Sequence, residues 1–315
     1  MTTKTIPVTN KQDWLENRLL DVTSTEVSCL YNLSPYMTEF ELFHQKKNKH
    51  LVELEDNQRM FWGRNLESAI AHGAAENMGW DIEKFDVYMT NDNRLGSSFD
   101  YKINSPSEGT GILEIKNVDG AAYRSKWIDD GFKIEAPPFI ELQLQHQMEV
   151  ANIDWGYIVA LVGGNDQKII YRKRDREIGK SITEKVKAFW ERVKTNTPPE
   201  IDYLKDSEYI IKTLNNQADT GVILSADEDM DKLIDEYDLV NKEYKSLEKT
   251  RDAIKAQILN MSQNASKIIS VNGTISCGMS KPNKGKLITQ DMVGTYQNPR
   301  KGYRMFRFNS PKGVS

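Results

Sequence analysis

The chain has 315 residues, a net charge of −4, 38% hydrophobic and 28% charged residues, and a mean hydropathy of −0.61, the profile of a soluble globular protein. No run approaches the roughly 18 apolar residues of a membrane span, and the polar start MTTKTIPVTNKQDW lacks a signal-peptide core, so a cytoplasmic protein with no membrane partner is expected. Cys29 and Cys277 form no CxxC pair, which argues against zinc and iron–sulfur sites, and the negative balance leaves any DNA affinity to local positive surface.

From Lys11 to Leu33 the sequence predicts a helix, a break, and a second helix opening at Thr23, where Thr23 and Glu26 have capping-box spacing. Backbone N–H groups at such a start favour an anion, and Arg18 lies just upstream. An Arg on a solvated helix face accounts for the same residue. Ser34-Pro35 starts a helix from Tyr36 to Lys49 with a basic end. Phe61 to Trp80 carries small and apolar residues at helical spacing, suited to close packing on a sheet. Glu67 falls near its apolar side, where either a cation partner or simple exposure near the helix start accommodates the charge.

The central stretch, Arg94 to Asn117, reads as two β-prone runs, Leu95 to Ile103 and Gly111 to Asn117, joined by the turn-rich NSPSEGTG. Strand alternation puts Glu114 and Lys116 on one face and Ile115 on the opposite, apolar one, while pairing of the two runs brings Asp100 to Glu114. Two carboxylates and an ammonium suit a Mg²⁺ site for phosphodiester hydrolysis. The acid-x-Lys spacing also occurs at Asp100/Lys102, Asp166/Lys168 and Glu243/Lys245, so it is the compact apolar setting ILEIK that distinguishes Glu114.

A loop is expected over Val118 to Pro138, then a helix from Phe139 to Asn152, a hairpin of Gly156 to Val162 with Lys168 to Tyr171, and an amphipathic helix from Arg176 to Lys194. This order predicts an α/β core with a mixed central sheet flanked by helices. Residues 1–200 form that domain, 201–228 a linker, and 229–315 a C-terminal extension with a long helix, a small β element and a basic tail. Leu233, Tyr237, Val240, Tyr244, Leu247, Arg251, Ile254, Ile258 and Met261 repeat at alternating four and three residues, a heptad seam over about 30 residues. The seam needs a partner, inside the chain or outside it. From Cys277 onward eight Lys or Arg face one Asp, interleaved with Tyr and Phe. That segment suits either a nucleic-acid surface or contact with the acidic stretch Asp227 to Glu248.

Together the motifs W-x3-R with TSTEV, WGRNLE, SSFDYK, LEIK and QLQHQM, in this order from Trp14 to Asp154, resemble the lambda-exonuclease-like, YqaJ-type viral recombinase family of PD-(D/E)xK nucleases. The region from Lys232 to Phe308 is similar to an extension found in many members. The resemblance implies a Mg²⁺-dependent 5′-to-3′ exonuclease that degrades one strand of duplex DNA for an annealing partner. It implies two ions, with Mn²⁺ able to substitute, held by Glu67, Asp100, Glu114 and the Ile115 carbonyl. Lys116 would position or activate water, and Gln145 would be the active-site glutamine, with Gln143 pointing away. It further implies that Arg18, Thr25 and Ser98 hold a 5′ phosphate and that Met60 is a strand-parting wedge.

As partners the resemblance implies double-stranded DNA ends, a single-strand DNA annealing protein, and other copies in a ring-shaped trimer or tetramer. The setting it implies is a bacterial cytoplasm with a phage or prophage gene. Phe99-Asp100-Tyr101 departs from the family's frequent Pro-Asp-Gly, and Thr25 stands where Ser is common. A structure-dependent endonuclease or flap nuclease and a non-catalytic DNA-binding module are the alternative readings.

Overall fold

The computed structural model describes residues 2–8, 10–49, 57–215, 218, 219 and 221–279. The chain divides into two units, Met1–Tyr209 and Ile210–Ser315. In the first unit the strands are β1 (Thr3–Pro7), β2 (Val22–Thr23), β3 (Asp81–Lys84), β4 (Val87–Asn91), β5 (Leu95–Ser98), β6 (Tyr101–Ser105) and β7 (Gly109–Val118), followed by the short β8 (Ile128–Asp129) and β9 (Ile134–Glu135), then β10 (Trp155–Val162) and β11 (Asp166–Lys173). Its helices are α1 (Lys11–Leu20), α2 (Glu39–Lys47), α3 (Gln58–Met78), α4 (Gly120–Lys126), α5 (Pro138–Ala151), α6 (Arg176–Thr195) and α7 (Tyr203–Tyr209). The second unit contains α8 (Glu228–Ser262) and the hairpin β12 (Lys267–Ser270) with β13 (Gly273–Ser276).

The main sheet runs β11-β10-β7-β6-β3, with β7 parallel to β10 and the other pairs antiparallel. A second sheet runs β1-β4-β5-β2. On β7 the odd residues Leu113 and Ile115 enter a core with Ile70, Ala71 and Ala74 of α3, where small side chains let the helix approach closely. Ile112, on the even face, packs with Ile140, Leu144 and Met148 of α5. Glu114 shares that α5 face by strand alternation. The mixed α/β architecture matches the expectation.

Several local expectations change. The run Leu95 to Ile103 is not one strand: it leaves the smaller sheet at Ser98 and joins the main sheet at Tyr101, with Asp100 at the break. Gly96 is required beside that break, because a Cβ there would overlap the Tyr88 hydroxyl and the Asp21 carboxylate bonded to it. Thr23 does not open an α-helix. Its amide donates to Glu26 Oε2 at 2.9 Å, one half of the capping box, but its hydroxyl faces Arg18 and Thr25, and only a short 3₁₀ turn, Val27–Tyr31, follows.

The stretch Val118 to Pro138 is not a bare loop either. Asp119 caps α4, accepting from the Ala122 amide at 2.8 Å, and Tyr123 and Trp127 are buried in the α5-side core. The first unit extends beyond residue 200, since α7 is fixed when the Thr38 hydroxyl donates to the buried Asp206 at 2.6 Å. The basic aromatic tail from Lys281 onward lies outside the described residues. No helix among the described residues is long and apolar enough to cross a membrane.

Candidate active site

The site lies where the β5–β6 break meets the middle of β7. Tyr101 pairs with Leu113, so Asp100 lies one step beyond, and its Oδ2 accepts from the Ile115 amide at 2.8 Å. Glu114, on the adjoining residue of β7, is only 2% exposed. Its Oε1 accepts from Lys116 Nζ at 2.6 Å and from Gln143 Nε2 at 2.7 Å, and its Oε2 from Gln147 Nε2 at 2.7 Å. Lys116 also donates to Gln143 Oε1 at 3.0 Å. Three donors thus meet the need of a buried carboxylate for compensation.

Burial, and then repulsion from Glu114, push the Asp100 carboxyl well above its usual range, with Lys116 partly opposing them. For Lys116 burial acts downward, but Glu114 and Asp100 outweigh it and the ammonium is held above its ordinary value. Glu67, from α3, pairs with Lys84 of β3, whose ammonium also lies 4.7 Å from the centre of the Tyr101 ring. Tyr101 therefore supports a second lysine near Asp100.

The glutamine assignment needs correction. On α5, Gln143 and Gln147 are four residues apart on one face and both reach Glu114, whereas Gln145 is turned about 200° from Gln143. Gln145 instead donates to the Lys173 carbonyl at 2.9 Å and accepts from the Asp175 amide at 2.8 Å, fixing the turn into α6. The i, i+4 spacing of the two glutamines is visible in the sequence and is the signal that identifies them. Gln147 Oε1 is buried without a hydrogen-bond partner.

Arg18 Nη2 donates to the Thr25 hydroxyl at 3.1 Å and to Thr23 at 3.3 Å, and its guanidinium lies 4.6 Å from the Trp14 ring. Trp14 Nε1 in turn donates to Ser98 Oγ at 2.8 Å. The Ser98 carbonyl accepts from Gln147 Nε2 at 3.3 Å, so one chain of contacts runs from Arg18 to Glu114. Behind it, buried Lys46 donates to the Arg18 carbonyl at 2.7 Å and to Glu26 at 2.8 Å. Burial acts to raise the Glu26 pKa, but Lys46 and Arg18 outweigh it and the carboxyl is held low. Met60 lies in the first turn of α3 beside the exposed Phe61 and Trp62.

Asp100, Glu114 and Lys116 thus meet at β7, with Glu67 paired to Lys84 nearby, and Arg18, Thr25 and Ser98 are joined through Trp14. Among the described residues, however, no three His, Cys, Asp or Glu side chains form a ready-made metal cage. Glu67 is turned to Lys84 instead. The donor set still fits a hard cation at Asp100 and Glu114: both are oxygen ligands, and a positive ion relieves the repulsion that raises Asp100.

A mixed sheet between α3 and α5, with Asp, Glu and Lys meeting on its central strands, has the fold of PD-(D/E)xK-type exonucleases. More specifically, residues 13–154, a span that includes every residue of the site, match the model of the YqaJ-like viral recombinase domain. The chain is 22% identical over 257 residues to the uncharacterized protein YqaJ of Bacillus subtilis (strain 168), covering 79% of this chain and 77% of that one. A crystal structure of the alkaline exonuclease LHK-Exo from Laribacter hongkongensis is similar at a TM-score of 0.50 and 20% identity, covering 63% of this chain and 98% of that one. LHK-Exo in complex with dAMP gives a TM-score of 0.48, with the same identity and coverage.

Proposed function

We propose that this chain is a Mg²⁺-dependent 5′-to-3′ exonuclease that degrades one strand of linear duplex DNA and exposes 3′ single strands for an annealing protein. The observation that carries this reading is the unbroken contact chain from Arg18 through Trp14, Ser98 and Gln147 to Glu114. It links an anion-binding cluster to an acid–lysine site within one domain. LHK-Exo, which shares the fold, is named an alkaline exonuclease.

Asp100, Glu114 and the Ile115 carbonyl would hold metal, joined by Glu67 once its contact with Lys84 is exchanged. A bound Mg²⁺ would supply Lewis acidity and a more acidic water for in-line displacement at phosphorus. Lys116, charged and oriented by Gln143, offsets negative charge at the attacked phosphate. Gln143 and Gln147 hold Glu114 with its oxygens directed by three donors. Arg18, with the Thr25 and Ser98 hydroxyls, would bind the terminal 5′ phosphate, because a guanidinium forks onto phosphate oxygens. Polarity then comes from this anchor, since metal chemistry alone does not distinguish DNA ends. Met60 would part the strands. Double-stranded DNA ends are the substrate, and other copies in a ring of three or four would enclose it.

The test is digestion of linear duplexes beside covalently closed circles, in Mg²⁺ and in EDTA, with Glu114→Ala as control. Mg²⁺-dependent loss of linear DNA alone is expected. Cutting of circles or of flap junctions at the same rate would establish the endonuclease reading instead.

A further inference from the structure

Phe139 precedes Gln143 by one turn of α5 and Gln147 by two, so the three side chains lie within an arc of about 80° on the helix face that meets Glu114. Along that face Gln147 reaches the Ser98 carbonyl and Glu114, Gln143 reaches Glu114 and Lys116, and Phe139 comes next. The ring of Tyr36 stands perpendicular to that of Phe139, with centroids 6.0 Å apart, and Tyr36 is 81% exposed. Burial acts downward on the Lys116 ammonium, while Glu114, Asp100 and also Tyr36 act upward, so the phenol is within electrostatic reach of the site. The backbone that carries Tyr36 is pinned on both sides. Ser34 Oγ accepts from the Tyr36 and Met37 amides at 3.2 and 3.3 Å, and Thr38 caps α2 by accepting from the Glu41 amide at 3.1 Å. An aromatic ring on fixed backbone, braced by a second ring and otherwise open to solvent, is a platform on which a nucleobase can stack.

We infer that Tyr36, braced by Phe139, stacks on the second nucleobase from the 5′ end, the one on the 3′ side of the scissile phosphate. The inference rests on the 5′-to-3′ nuclease reading and gives that site a base-binding position. The anchor of Arg18, Thr25 and Ser98 lies toward the Gln147 end of the α5 face, and the aromatic pair lies beyond Gln143 and Lys116 at the other end. A strand with its 5′ phosphate at the anchor and its scissile phosphate at Glu114 and Lys116 carries its first nucleotide between these two points. The next nucleotide then meets Tyr36. Stacking there holds the retained strand while the first nucleotide is released, and it tolerates any sequence, because every base has a π face.

The test places 2-aminopurine at the second position of the 5′-phosphorylated strand of a duplex, with Ca²⁺ in place of Mg²⁺ to keep the strand uncut. A stacked probe is quenched, so the complex with Tyr36→Ala should be about threefold brighter than the complexes with wild type and with Tyr36→Phe, which keeps the ring. A probe at the first position should respond alike in all three. In single-turnover digestion with Mg²⁺, Tyr36→Ala should slow cleavage of an ordinary duplex about tenfold, the loss of one stacked base, yet stay within about twofold of wild type on a duplex whose second nucleotide is abasic. Failure of wild type to bind duplex ends, read by fluorescence anisotropy, would overturn the nuclease reading and this inference together. Binding with equal probe fluorescence in wild type and Tyr36→Ala, or equal slowing on ordinary and abasic duplexes, would overturn the stacking alone.

Discussion

Substitution of the α5 glutamines separates their roles. Gln143→Ala removes the 2.7 Å bond to Glu114 and the 3.0 Å contact with Lys116, while Gln145→Ala removes the bonds to Lys173 and Asp175. A hydrogen bond to a charged group contributes about 1.5–3 kcal/mol, which converts to a loss of roughly 10- to 150-fold in single-turnover cleavage by Gln143→Ala. The two neutral bonds of Gln145 amount to about 1–3 kcal/mol of stability and bear on no reacting group. At roughly 2–4 °C per kcal/mol for a unit of about this size, Gln145→Ala should lower Tm by about 2–12 °C yet cleave within about threefold of wild type below its transition. Rapid-quench digestion of an end-labelled duplex, paired with calorimetry, gives both quantities. Equal loss of cleavage in the two variants, with folding intact, would refute the assignment of Gln143 and Gln147 to the site.

Other outcomes follow from the same geometry. Because the folded Asp100 carboxyl is raised, the unfolded chain releases this proton first, so stability falls as pH rises from about 3.8 toward the folded value. Asp100→Asn should therefore raise the Tm of the metal-free protein at pH 8 while cutting cleavage at least about 100-fold, and a lower Tm would contradict it. Buried His146 has the opposite sign: burial lowers it from 6.5 to about 4, so its contribution is present above pH 6.5 and is lost as pH falls toward 4. That loss is about 3 kcal/mol, measurable by urea unfolding, and His146→Gln should flatten the slope in this window. Arg18→Ala should reduce the preference for 5′-phosphate over 5′-hydroxyl ends by about 1.5–3 kcal/mol while leaving Mg²⁺ affinity, measured calorimetrically, unchanged.

The central strand was legible because ILEIK is both β-prone and periodic: Glu114 and Lys116 lie on one face, and Leu113 and Ile115 on the other. The long helices were legible for the same reason, as in α6 and α8, whose spacing and Asp caps mark them. The break at Asp100 was hidden, since Leu95 to Ile103 has continuous β propensity and the change of sheet is a tertiary event centred on Phe99 and Tyr101. The run Gln143 to Met148 satisfies strand and helix periods at once. As a helix, the i, i+4 spacing puts Gln143 and Gln147 on one face, and their bonds to Glu114 show that this is the face that meets the acids. Tyr123 and Trp127, read as loop residues, are core residues because Asp119 starts a helix that turns them inward. Lys84 escaped notice because its acid partner is Glu67, seventeen residues away in α3.

Strand polarity tests the central claim most directly. A linear duplex with a 5′ phosphate on one strand and a 5′ hydroxyl on the other, each strand carrying distinct labels at its two ends, is digested under single-turnover conditions in Mg²⁺. The 5′ label of the phosphorylated strand should be released first, leaving the complementary strand intact with a 3′ single-stranded end. Release from 3′ termini, or internal fragments from both strands, would contradict an exonuclease that is anchored at Arg18 and cuts at Asp100 and Glu114.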